Sequence, residues 1–356
     1  MPMTFSAYFD RTRACLTDFL EVFLARKGRE LAVLKPWGPD IAARLAAFTL
    51  KGKMIRGGLV GLGYELAGRR LAPDAVRAGA AMELAQSALL IHDDIMDRDV
   101  RRRGEPSLHQ QYIRLGEAEG VADPVRFGEG MGICAGEIAL FLAFEALAGL
   151  AAPKDRAAAA LGLFAREFTL VGLGQMQDLS TGHSYRPATE KEVLALYRLK
   201  TARYSFSLPL GLGCLLAGGG RRLRSGLEKC GEDLGLIFQL RDDELGLFGE
   251  AGELGKPVGS DVRQGKKTLI YLLLAERASE AEKRTLAAVI GNPAATDADI
   301  AFVQELALKH GVREEVGRRV EGLRRRAAQT IRGLSVRREL HEVLEGLLEY
   351  SLTRRK

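Results

Sequence analysis

The chain has 356 residues, 47% apolar and 6% aromatic, with a formal charge of +6 from 52 basic and 46 acidic residues. That length allows one large core or two smaller ones, and a balance rich in Ala, Leu, Gly and Glu but poor in aromatics favours helices over a β-sandwich. The small basic excess suggests an anionic ligand or nothing in particular, and it lacks the clustered basic face and stacking aromatics of a nucleic-acid binder.

In chain order, apolar residues at helical spacing predict a helix over 4–24. Pro36-Trp37-Gly38-Pro39 breaks it, and Asp40 caps a helix over 41–50. A third covers 54–67. Pro73-Asp74 opens a helix that ends at the stop Arg103-Gly104-Glu105-Pro106. Residues 115–130 read as loop and 131–150 as a nearly all-apolar, buried helix. Another helix spans 157–179 and breaks at Thr181-Gly182-His183. Thr189 with Glu192 forms a capping box for a helix through Lys200-Thr201. Gly218-Gly219-Gly220 precedes one further long helix, and from Ala275 helices alternate with breaks at Asn292-Pro293 and Gly333. With no alternating strand pattern, repeat or linker, the expected fold is all-α, one large helical domain over 1–356.

Glu137 and Glu145 interrupt the longest apolar run, which argues against a membrane span. The N-terminus carries Asp10 and Arg11 and lacks a signal-peptide pattern. Cys15, Cys134, Cys214 and Cys230 have no metal-site or CxxC spacing and read as buried, small apolar residues in a reducing compartment. A soluble, cytoplasmic protein is expected.

Two Asp clusters carry the chemistry. The first is His92-Asp93-Asp94-Ile95-Met96-Asp97, followed by Arg101-Arg102-Arg103-Gly104. The second is Phe238-Gln239-Leu240-Arg241-Asp242-Asp243, followed by Gly255-Lys256-Pro257. Asp93 and Asp97 share one helix face, an arrangement of like charges that costs stability unless a cation bridges it. Carboxylates suit Mg²⁺, and Arg and Lys suit phosphate oxygens. The blander alternatives are a solvated helix end neutralised by Arg98 and Arg101, and a surface acidic pair at 242–243. Lys53, Arg56, Lys200 and Lys256 add cations that suggest two anion sites.

Taken together, Gly52 to Arg56, His92 to Gly104, Gly174-Gln175, Lys200-Thr201, Phe238 to Asp243 and Gly255 to Asp261 resemble the trans-isoprenyl diphosphate synthases of the polyprenyl synthetase family, over nearly the whole chain. The resemblance implies an all-helical isoprenoid synthase fold around a deep central cavity, a homodimer, and three Mg²⁺ ions holding an allylic diphosphate. By position it assigns metal binding to Asp93, Asp94, Asp97, Asp242 and Asp243. It assigns the allylic diphosphate to Arg102, Lys200, Gln239 and Lys256, and isopentenyl diphosphate to Lys53, Arg56, Gln86 and Arg103. Lys200, Thr201 and Gln239 fall near the allylic cation. Two departures stand out: Gly57 where the family has Pro, read as a minor loss of rigidity, and Gly246 where the second motif's last Asp would stand.

The implied reaction ionises the allylic diphosphate and adds the cation to isopentenyl diphosphate. Product length is expected to depend on Met82, Ala85, Ala88 and Leu89, which precede Asp93 on its helix, with a buried wall at Phe141 and Phe144. Small Ala85 and Ala88 point to geranylgeranyl diphosphate, with longer polyprenyl products as the alternative. A silent subunit of a heteromeric synthase, favoured only by Gly246, and a terpene cyclase, opposed by the isopentenyl-site cations, are the rival readings. A di-iron bundle would need Glu-x-x-His pairs, which the chain lacks at suitable places.

Overall fold

Side-chain caps set many of the helix boundaries. The Thr4 hydroxyl accepts the Ala7 N–H and opens α1 (Phe5–Leu31), which α2 (Trp37–Leu50) and α3 (Ile55–Leu66) follow. Pro73, preset for a first helical position, opens α4 (Pro73–Met96). A short antiparallel pair, β1 (Arg101–Arg102) and β2 (Glu105–Pro106), leads into α5 (Leu108–Ala118). Asp123 accepts the Arg126 N–H to open α6 (Pro124–Ala148), and α7 (Lys154–His183) comes next. The expected Thr189–Glu192 capping box opens α8 (Glu190–Tyr197). A π-helical segment, Arg198–Ser207, joins it to α9 (Leu208–Leu216), followed by α10 (Arg221–Phe248) and the short α11 (Ser260–Arg263). The chain ends in α12 (Leu269–Arg277), α13 (Glu280–Val289), α14 (Asp297–Lys309), α15 (Val312–Arg332) and α16 (Arg338–Thr353). The computed structural model describes residues 4–183, 188–249 and 258–353.

The all-α class holds, with local corrections. Asp40 lies inside α2 and does not cap it, α7 continues through Thr181 and Gly182 without the expected break, and Cys134 is exposed and Cys15 half-buried in place of the expected buried thiols. Residues 115–130 are mostly helical, being the end of α5 and the start of α6. The helix of the first Asp cluster stops at Met96, short of the Gly-Pro stop, and a hairpin turn carries Arg101 to Pro106. Helix α6 is not buried all round: Phe141 is 66% and Ile133 51% exposed. α6 and residues Lys154–Gly182 are long and apolar enough to cross a membrane by length and composition alone, so Glu137 and Glu145 do not decide that question. In this fold the small residues Gly128, Gly132, Gly136 and Ala139 of α6 are buried, and the helix packs on α4 and α5.

The residues fall into two compact units, Met1–Leu163 with Pro209–Arg224 and Phe164–Leu208 with Ser225–Lys356. In the first, α4 is the spine, lined by α1, α2, α3, α5 and α6. Glycines allow backbone contact there. A Cβ on Gly63 would lie 2.1 Å from the Leu210 carbonyl oxygen, and one on Gly213 would lie 1.9 Å from that of Val60. In the second unit α12 packs on α8, α14 and α15. α10 presses against the π-helical segment, where a Cβ on Gly235 would meet the Ala202 Cα at 2.4 Å.

Candidate active site

The last turn of α4 presents the first Asp cluster. Asp93 is half-buried, Asp94 fully buried, and Asp97 ends the helix with its N–H bonded to the Asp93 carbonyl. Arg102, returned by the turn after α4, bonds Asp94 Oδ1 through Nε at 2.7 Å. It also reaches Asp99 at 3.2 Å and Asp93 at 3.8 Å. Arg102 is therefore the cation that neutralises Asp94. Burial lifts the Asp94 carboxyl to about 6 despite Arg102, and Asp94 Oδ2 has no hydrogen-bond partner. His92 anchors this turn on α6: its Nε2 lies 3.1 Å from the Ile133 carbonyl oxygen, and its ring occupies the space a Cβ on Gly136 would need.

Beside this cluster the structure gathers the cations assigned to a second anion. Arg103, in a left-handed conformation (φ 54°), donates to the Phe48 carbonyl at 2.7 Å and lies against Gly52 of the Lys53 loop. Met54 is left-handed as well (φ 55°). Such backbone strain in non-glycine residues concentrates at functional sites. Lys53 is exposed, Arg56 half-buried, and Gln86 is buried on α4 with an unpartnered amide oxygen. Leu89 lies one turn before Asp93 and is half-buried, while Met82, Ala85 and Ala88 are fully buried. The exposed Phe141 does not form the buried wall expected of it.

In the second unit a hydrogen-bond chain organises the other cluster. The Thr201 hydroxyl donates to Gln239 Oε1 at 2.7 Å, and Gln239 Nε2 donates to Asp243 Oδ1 at 2.8 Å. The Tyr197 hydroxyl donates to Asp243 Oδ2 and accepts the Leu269 N–H at 2.9 Å. Asp243 is thus buried inside the fold's own network, while Asp242 is half-exposed. Burial and neighbouring Asp261 push the Asp243 carboxyl well up, against the pull of its Tyr197 and Gln239 bonds. Lys200 pairs with Asp178 of α7 at 2.5 Å. Gly174 brings that helix close, since a Cβ there would lie 3.2 Å from the Lys200 nitrogen. At Gly246 a Cβ would lie 3.2 Å from Asp261 Oδ2, so the carboxylate of Asp261 stands beside the motif's missing position. Lys256 lies outside the described residues.

Sequence reasoning missed Tyr197 and Asp178, and it quoted Asp261 at the end of a motif without giving it a role. Asp178 carried a usable signal, standing one turn after Gly174 on the same helix, whereas Tyr197 lies 46 positions from Asp243. Among the described residues no three carboxylates, histidines or cysteines form a cage for a metal ion. Mg²⁺ keeps several waters and takes only one or two carboxylates plus phosphate oxygens, so these all-oxygen donors suit it.

A family model described as polyprenyl synthetase matches residues 41–307. The geranylgeranyl diphosphate synthase of Saccharolobus solfataricus is 32% identical over 79% of this chain and 80% of its own length. That of Sulfolobus acidocaldarius is 31% identical over 87% and 89%. A solved structure of geranylgeranyl pyrophosphate synthase from Corynebacterium glutamicum, complexed with isoprenyl diphosphate and magnesium, superposes with a TM-score of 0.91 at 31% identity, over 98% of this chain and 99% of that one.

Proposed function

Because this chain belongs to the polyprenyl synthetase family, whose trans-prenyltransferase chemistry it shares, we propose that it condenses isopentenyl diphosphate with an allylic diphosphate and releases geranylgeranyl diphosphate. The observation that carries this reading is the family match together with an intact first carboxylate set whose Asp94 is bonded by Arg102. We take residues 1–356 as one synthase domain working as a homodimer.

In this reading Asp93, Asp94, Asp97, Asp242 and Asp243 hold three Mg²⁺ ions, with Asp243 oriented by Tyr197. Mg²⁺ bound there supplies Lewis-acid stabilisation of the charge that grows on the departing diphosphate. Arg102, Lys200, Gln239 and Lys256 would bind the same oxygens and offset the charge that develops there. Each anchored cation has its own carboxylate in the resting protein, Arg102 on Asp94 and Lys200 on Asp178. The arriving diphosphate competes for them. Thr201 spends its hydrogen on Gln239, which leaves its oxygen lone pairs for positive charge on the allylic carbon. Lys53, Arg56, Arg103 and Gln86 hold isopentenyl diphosphate in line. The growing tail runs along α4 past Leu89 towards Ala88, Ala85 and Met82.

The test is incubation of the purified chain with Mg²⁺, isopentenyl diphosphate and farnesyl diphosphate, and mass analysis of the dephosphorylated products. A twenty-carbon alcohol, abolished by chelation and restored by Mg²⁺, is expected. A ladder of longer alcohols overturns the product assignment alone. No product from farnesyl, geranyl or dimethylallyl diphosphate overturns the activity and leaves the silent-subunit reading.

A further inference from the structure

Helix α3 begins in an unusual way. Its N-cap, Met54, is left-handed and makes no side-chain cap bond. A helix start leaves its first N–H groups without partners, and a buried start needs an acceptor from elsewhere. That acceptor is Glu83 of α4. Its Oε1 receives the Gly57 N–H at 2.7 Å, and the Arg56 N–H also points to this carboxylate. Glu83 is 4% exposed. Arg56 and Arg103 are the cations whose charge acts on it, and burial raises its carboxyl against all of these partners. Its own turn is held in place: Ser87 Oγ bonds the Glu83 carbonyl at 2.9 Å and Thr49 Oγ1 at 3.0 Å.

We propose that Glu83 is the positioning residue of the isopentenyl-diphosphate site, capping α3 from a neighbouring helix so that the Lys53–Arg56 loop and Arg103 are held ready for the diphosphate. The proposal rests on the functional reading above and adds to it a residue that the motif assignments do not name. Capping residues supply both an acceptor and a charge at the helix start. Here the capped turn is the one that bears Arg56, so any slack in the cap passes directly to a substrate contact. Gly57 has a purpose in this arrangement. Its N–H is one of the two capped donors, and a Pro at this position would delete that donor. A Cβ there would also lie 2.7 Å from Leu16 Cδ1 and 3.0 Å from the Gly79 carbonyl oxygen. Gly57 thus gives Glu83 a donor that a Pro at this position would lack.

Two variants separate reach from charge. Glu83→Asp keeps the charge and retracts the carboxylate by one methylene. Glu83→Gln keeps an acceptor oxygen at full length and drops the charge. With both folded by circular dichroism, Glu83→Asp is expected to raise the isopentenyl-diphosphate KM about tenfold, the cost of a lost cap bond. Its kcat and allylic KM should stay within a factor of about two. Calorimetric binding of isopentenyl diphosphate alone, where no turnover occurs, should weaken in step. Glu83→Gln should recover most of the affinity. If Glu83→Asp binds isopentenyl diphosphate as the native protein does, or if both KM values and kcat worsen together, the positioning role is overturned. If the native protein neither binds nor consumes isopentenyl diphosphate, it is the functional reading that fails. Should Glu83→Asp not fold, Glu83→Gln decides: a selective loss of isopentenyl-diphosphate affinity equal to a full cap loss would refute the acceptor role.

Discussion

Tyr197 has its hydroxyl between Asp243 and the Leu269 N–H, so one phenol oxygen joins α8, α10 and the start of α12. Tyr197→Phe leaves the ring packed but strips a buried carboxylate of one of its two donors. Leaving a buried polar group short of a partner costs about 1–3 kcal/mol. The melting temperature should fall by several degrees, and turnover should fall with it, because Asp243 then loses its orientation. A thermal melt unchanged from the native protein would mean that the Tyr197 bond contributes nothing. At this scale the sequence was uneven. The placement of Asp93, Asp94 and Asp97 at one helix end could be read directly, because helical spacing and a following Arg run are local signals. The internal role of Asp243 could not, since its partner Tyr197 is remote in sequence and belongs to a residue type usually read as core. Gly246 read as a gap in the motif, yet it lies against Asp261, a carboxylate that only the folded chain brings there.

Among the helices, a glycine of α9 and one of α15 make contrasting predictions. Gly213 packs against the Val60 carbonyl and the Tyr64 nitrogen, backbone atoms that cannot swing aside. Gly213→Ala should destabilise by about 3 kcal/mol, at the upper end for overpacking, or prevent folding. Gly322 lies inside α15 with nothing within 4 Å of an added Cβ. Gly322→Ala should stabilise by about 0.5–1 kcal/mol through helix propensity. Denaturant unfolding of the two variants checks both signs. The same residue type explains the misread stretch 115–130. Gly116, Gly120, Gly128 and Gly130 look like loop punctuation, but a Cβ on Gly128 would lie 2.3 Å from Ile113 Cγ1, so there the glycine is a packing choice inside a helix. Caps such as Thr189–Glu192 were legible because they are short-range. The π-helical register of Arg198–Ser207, which carries Lys200 and Thr201, has no such mark. It is gripped by Gly231 and Gly235 of α10 through contacts far away in sequence.

For the molecule as a whole, the exposed face of α6 is the feature that sequence patterning misjudged. A run of apolar residues reads as buried, yet Ile133, Glu137 and Phe141 share an outward stripe at i, i+4 and i+8. An apolar face of this kind fits the proposed homodimer, since monomers rarely leave large apolar patches in water. Phe141→Glu should halve the mass measured by light scattering while leaving the helical circular-dichroism signal intact. A native protein that already runs as a monomer would remove this support. The class of fold was legible because composition and periodicity act over the whole chain. The division into two units was not, because the chain crosses between them at positions inside helices.

That interrupted path has a consequence for biosynthesis. The first unit lacks Pro209–Arg224 until residues 164–208 have been made. Gly213, whose backbone seals against α3, follows Gly63 by 150 positions. At roughly 5–20 residues per second, the ribosome delivers it on the order of ten seconds after α3 has been synthesised. During that interval α3 holds an unsealed seam on the nascent chain, and a message truncated before codon 209 would release a product that can never close it. Codon usage and chaperone supply between these positions would then govern yield in the cell, independently of how stable the finished protein is.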